Sequence, residues 1–203
     1  PMSISATFLG VVPKGKAVLR SGAKAGDDIW VTGNIGDAYL GLQLAENASG
    51  VLANSSDPED LWVWEEAFRH PTPRLLFRKS LRNVATACAD ISDGLLSEAG
   101  HIAKASQKRL TINLHDMPLS KASSKWCKAQ NYEKALIRLA TAGDDYELLF
   151  TADPEKEDLV KTGAQKLNLR VSKIGFVSEG QGVECLDINE KRLSIEKSGY
   201  SHD

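Results

Sequence analysis

The sequence is missing several things that would have settled its class at once. It has no apolar run approaching the length of a membrane span, so a transmembrane helix is excluded. No run of lysine and arginine exceeds two or three residues and the formal net charge is −2, so the basic stripe of a nucleic-acid binder is absent. Cysteine is scarce: Cys88, Cys127 and Cys185 are an odd set, spaced for neither a disulfide frame nor a zinc site. They fit reduced thiols and a cytoplasmic protein. No secretory signal pattern opens the chain. Internal repeats and low-complexity tracts are also lacking. What remains is an ordinary globular composition, 42% hydrophobic and 26% charged over 203 residues.

The most informative stretch is Ala89-Asp90-Ile91-Ser92-Asp93-Gly94-Leu95-Leu96. Small residues from Val84 to Ala89 read as a strand. Leu95, Leu96, Ala99, Ile102 and Ala103 then fall on one helical stripe. Two carboxylates and a hydroxyl sit at the handover between strand and helix, a usual place for a ligand site in an α/β protein. If Asp90 and Asp93 share a pocket, the chemistry between them suits a hard cation, Mg²⁺ before others. A second acidic turn, Gly143-Asp144-Asp145-Tyr146-Glu147, leads into the apolar run Leu148-Leu149-Phe150.

Elsewhere the chain alternates between strand and helix signals. Ile4 to Val12, Ile29 to Thr32, Leu110 to Leu114 and Val171 to Val177 read as strands. Ala38 to Ala45, Asp60 to Arg69, Ser120 to Ala129, Tyr132 to Ala140 and Pro154 to Leu167 read as helices, with a further one from Thr72-Pro73 to about Leu81. Val183 to Ile188 and Leu193 to Ile195 flank Asn189-Glu190-Lys191 as a terminal hairpin. The alternation points to an α/β or α+β layered domain. Gly33-Asn34-Ile35-Gly36 reads as a tight turn, since a Walker loop needs more glycine and a lysine. Trp62, Trp64 and Phe68 read as packing residues, and His70 as a satisfied structural one.

Seven stretches, in order, resemble the thiamine-monophosphate kinase family, which is grouped with aminoimidazole ribonucleotide synthetase and selenophosphate synthetase. They are Ser3-Ile4-Ser5, Leu19-Arg20-Ser21-Gly22-Ala23 with Gly26-Asp27, and Trp30-Val31-Thr32-Gly33 with Gly36-Asp37. Next come Pro71-Thr72-Pro73-Arg74, the acidic turn from Asp90 to Leu95, Gly143 to Leu149, and Gly199-Tyr200-Ser201-His202. The resemblance covers the C-terminal part of that family and implies an α/β fold of the α+β layered sandwich kind. It implies that residues 1–12 correspond to the last strand of an N-terminal ATP-binding domain and residues 13–203 to the C-terminal domain. The family usually continues with an aromatic residue after the His of the last motif, where this chain has Asp203.

The resemblance further implies transfer of the γ-phosphoryl of ATP to thiamine monophosphate with Mg²⁺, giving thiamine diphosphate, and a homodimeric full-length protein. Asp90 and Asp93 correspond to magnesium ligands, Ser92 to an ATP contact and Arg20 to a nucleotide-phosphate contact. Glu147 and Tyr200 correspond to thiamine-side contacts, with Asp144 and Asp145 in the same neighbourhood. The chain alone is expected to bind nucleotide weakly and to turn over little or not at all.

Taken singly, each of these residues has a plainer reading. Asp93 before a helix is an N-cap, Glu147 a surface charge, Arg20 a solvated loop charge and Tyr200 a packed tail residue. Asp90 resists a plain reading because a buried carboxylate without partners is costly. Two other functions stay open at this point: a synthetase of the same superfamily, or a non-catalytic interaction domain whose acidic turns only cap helices.

Overall fold

The structure is a computed structural model describing residues 3–46, 57–195 and 199. Six strands form one sheet in the order β2-β4-β1-β5-β3-β6. These are β1 (Asp28–Thr32), β2 (Ala85–Asp90), β3 (Arg109–Asn113), β4 (Leu148–Ala152), β5 (Val171–Ser178) and β6 (Gly182–Leu186). Every pairing is antiparallel except β3 with β6. The described helices are α1 (Asp37–Ala45), α2 (Pro58–Arg69), α3 (Arg78–Val84), α4 (Leu95–Ser106), α5 (Lys121–Lys128), α6 (Tyr132–Thr141) and α7 (Glu157–Gln165).

Side-chain alternation on the central strands sorts the helices into two layers. Trp30 on β1 lies opposite Phe150 on β4, and both point to the face covered by α3 and α7 through Val84, Val160 and Ala164. Their neighbours Ile29, Val31 and Leu149 point to the other face. There they meet the stripe of α4 (Leu95, Leu96, Ile102), together with Trp64 of α2 and Trp126 of α5. All five residues of β1 are buried, as a strand covered on both faces requires. No described helix is long and apolar enough to cross a membrane.

Three expectations change. Residues 3–12 alternate as a strand would but form none, and they are exposed throughout. Alternation says which face a strand would bury; it does not supply an edge to pair with. The helix foreseen from Thr72-Pro73 begins as a 3-10 turn, Leu75–Phe77, and becomes α-helical only at Arg78. The terminal hairpin shrinks, among the described residues, to a turn closed by Asp187 and Lys191 with a single bridge, Leu186 to Arg192, while the ladder of β6 runs along β3. His70 ends α2 and its Nδ1 lies 3.0 Å from Glu66, in keeping with a structural role.

Candidate functional site

Two acidic turns are strapped together at one end of the β2–β4 pair. Beyond the last ladder partners, the Ile91 amide donates to the Glu147 carbonyl at 2.8 Å, and the Tyr146 amide to the Ile91 carbonyl at 2.8 Å. The Asp144 amide then donates to the Ser92 carbonyl at 2.9 Å. Glycine is required where the turns touch. A Cβ on Gly143 would stand 2.3 Å from the Ser92 oxygen, and one on Gly94 2.8 Å from the Thr141 oxygen. The backbone is strained here as well: Asp144 (φ 72°) and Tyr146 (φ 50°) are non-glycine residues in the left-handed region.

A cleft of about 770 Å³ opens beside this junction. Ser92 and Asp93 line it from one turn and Asp144 and Tyr146 from the other, with Tyr39 of α1 and Arg138 of α6 beside them. Gly199 lies at its rim, so close to α4 that a Cβ there would stand 2.5 Å from the Cβ of Ser97. Tyr200 lies outside the described residues.

Asp93 does not cap α4: the N-cap is Gly94, with no side-chain cap bond. The capping reading therefore falls, and the carboxylate lies instead near Glu98 and His101, behind the cleft that Asp93 helps to line. Asp90 is exposed, which removes the argument from burial made for it above. Its nearest cation is Arg20, at 4.0 Å. Arg20 approaches Glu98 more closely, at 3.3 Å, so it is not a free loop charge. Glu98 is almost wholly buried; burial raises its carboxyl above the ordinary range, and Arg20 opposes that. Ligand atoms of Asp93, Glu98 and His101 lie within 4.8 Å of one another, a grouping that could hold a cation. The pair foreseen from sequence was Asp90 with Asp93; the structure groups Asp93 with Glu98 and His101, and Arg20 stands between Glu98 and the exposed Asp90. The oxygen donors suit a hard divalent ion.

Glu147 is not a surface charge. Its carboxylate is buried, and Glu147 stands behind the residues that line the cleft rather than among them. Arg74 donates from Nε to Oε2 at 2.7 Å and from a second nitrogen to Oε1, while the Thr32 hydroxyl donates to Oε2 at 2.6 Å. Asp145 also turns inward and accepts the Gly36 amide at 2.9 and 3.0 Å, serving the start of α1. Burial pushes the Asp145 carboxyl well above the ordinary range; Asp37 and Glu147 add to the shift and the Gly36 amide opposes it. Asp37 is likewise raised by burial, against the Ser120 and Ser123 hydroxyls that donate to it. Ser123 in turn accepts from the Trp64 indole at 3.0 Å.

Sequence reading missed Glu98, Arg138 and Tyr39, which carry no local signal beyond lying on helices. It saw Arg74 only as the end of a motif, because its partner lies far along the chain.

Such a mixed sheet, with two acidic turns docked beside an open cleft, defines a class of domain. Residues 24–188 match the family described as AIR synthase related protein, C-terminal domain, and the chain belongs to that family. Within it, the similarity runs to thiamine-monophosphate kinases. The chain is 39% identical over 198 residues to the thiamine-monophosphate kinase of Caulobacter vibrioides, an alignment covering 95% of this chain and 54% of that protein. The crystal structure of thiamine-monophosphate kinase from Stenotrophomonas maltophilia K279a superposes with a TM-score of 0.76 at 36% identity, covering 86% of this chain and 54% of that one. AaThiL complexed with AMPPCP and TMP superposes with a TM-score of 0.73 at 29% identity, covering 92% of this chain and 54% of that one. The chain thus spans about half the length of these relatives.

Proposed function

We propose that this chain is the C-terminal portion of an ATP- and Mg²⁺-dependent kinase that converts thiamine monophosphate to thiamine diphosphate. The observation that carries the proposal is the cleft at the docked turns. It presents Ser92 and an uncapped Asp93 beside Asp144 and Tyr146, in a fold whose relative AaThiL is complexed with AMPPCP and TMP.

The acceptor is itself a phosphate, with a second pKa near ~6, and is mostly ionised at neutral pH. A strong general base is then unnecessary, and the obstacle is repulsion between two polyanions. Asp90 and Asp93 hold Mg²⁺ in this reading, with Glu98 and His101 beside Asp93. The ion's contribution is to neutralise charge on the phosphates. Ser92 binds ATP. Arg20, with Glu98 behind it, presents its guanidinium to nucleotide phosphate. Glu147 and Tyr200 serve the thiamine side, Tyr200 offering an aromatic face that suits a cationic ring and Glu147 standing behind the Asp144–Tyr146 turn.

Residues 13–203 are the kinase's second domain in this proposal, and residues 1–12 a strand that pairs with a preceding domain. Their apolar side chains support that assignment: Phe8 and Leu9 are more than nine-tenths exposed here. A homodimer and a cytoplasmic setting complete the proposal. The cytoplasmic setting draws on three unpaired cysteines, whose thiols burial pushes up to about 12.

A coupled assay with ATP, Mg²⁺ and thiamine monophosphate tests the reading. Turnover is expected from the full-length protein and little or none from this chain alone. A full-length protein that ignores thiamine monophosphate and turns over a phosphorylated ribonucleotide would replace the reading with the synthetase alternative.

A further inference from the structure

The Pro71-Thr72-Pro73-Arg74 motif ends on a cation that the proposed reaction leaves without a task. Arg74 reaches from the turn before the 3-10 segment to the first residue after the strained Asp144–Tyr146 turn. Both oxygens of Glu147 are engaged by its guanidinium, in the two-pronged geometry that lysine cannot reproduce. Thr32, at the end of β1, completes the clamp. Its hydroxyl donates to Glu147 Oε2 at 2.6 Å and accepts the Leu148 amide at 2.9 Å. Gly33 makes room: a Cβ there would fall 1.8 Å from Glu147 Oε1.

Two separate motifs therefore converge on the carboxylate of a third. The Arg74 and Glu147 side chains are only 23% and 7% exposed, so the pair is shielded from water. The backbone of the clamped residue also anchors the site, because the Glu147 carbonyl takes the Ile91 amide and the preceding residue, Tyr146, is held at φ 50° against the cleft.

We infer that Arg74 is a positioning residue for the thiamine side of the site: it fixes Glu147, and through it the Asp144–Tyr146 turn, without touching a phosphate. This rests on the kinase reading above. A clamp serving only stability would weaken both substrates alike or neither. A positioning clamp weakens the ring-bearing substrate selectively.

The test is steady-state kinetics of the full-length protein, varying ATP and thiamine monophosphate separately. Arg74→Gln is expected to raise KM for thiamine monophosphate by roughly tenfold or more while KM for ATP moves by less than about twofold. Arg74→Lys should fall between Arg74→Gln and wild type, keeping the charge and losing the fork. Thr32→Val should shift the same KM in the same direction, and Thr32→Ser should restore it. If Arg74→Gln fails to fold, the Thr32 pair decides by the same criterion. Equal shifts in both KM values, or an unchanged KM for thiamine monophosphate, would overturn the inference while leaving the kinase reading intact. Absence of wild-type turnover would defeat the kinase reading and this inference with it.

Discussion

The amide of Asp144 donates to the carbonyl of Ser92 at 2.9 Å, and that bond joins two acidic turns lying far apart in sequence. Because the turns touch through backbone, both border the same cleft. Ser92 and Asp93 line it from one side, Asp144 and Tyr146 from the other.

Glycine at the contact is the first thing to test. Gly143→Ala places a Cβ 2.3 Å from the Ser92 oxygen, a backbone atom that cannot step aside cheaply. It should cost about 1–3 kcal/mol of stability. Gly100→Ala is the contrasting case: it lies within α4 with nothing within 4 Å of the new Cβ, and should stabilise by roughly 0.5–1 kcal/mol. Urea denaturation of both variants checks the pair.

Asp145 predicts a pH dependence. Its folded pKa is raised, chiefly by burial, so the folded chain binds the proton more tightly than the unfolded chain does. Its stabilising contribution is complete below the ordinary carboxylate range and is lost as pH rises through the raised value. Asp145→Asn, which stays neutral, should therefore match wild type near about pH 3–4 and be the more stable of the two near about pH 7. Thermal melts across that range, without divalent ions, read the crossover; a variant less stable at neutral pH would contradict it.

Much of this architecture was legible in the chain. All six strands of the sheet and the described helices other than α3 lie within a few residues of where periodicity puts them, since each buries one stripe or face. Strand order was not legible, because β1 sits between β4 and β5 through contacts no local pattern encodes. The burial of Glu147 was not legible for the same reason: taken alone, at the edge of an apolar run, it looks exposed, and only Arg74, distant in sequence, shows why it is buried. Taken alone, Asp93 before a helix suggests a cap, but Gly94 takes that position and Asp93 makes no cap bond. Ile4 to Val12 shows the converse case, a strand pattern with no partner edge among the described residues of this chain.

Asp90→Asn and Asp93→Asn should separate stability from activity. Asp90 is exposed and Asp93 caps nothing, so neither should move stability by more than about 0.5 kcal/mol. In the full-length protein each should lower turnover by roughly a hundredfold or more, with added Mg²⁺ recovering part of the loss. Unchanged turnover would assign both aspartates to the surface.

The most direct test is a crystal structure of the full-length protein with AMPPCP, thiamine monophosphate and Mg²⁺ bound. The account predicts an ion at about 2.0–2.1 Å from an oxygen of Asp90 or Asp93, sharing a nucleotide phosphate as ligand, with the Ser92 hydroxyl on the nucleotide. Nucleotide and ions seated elsewhere, with both aspartates left to solvent, would contradict it.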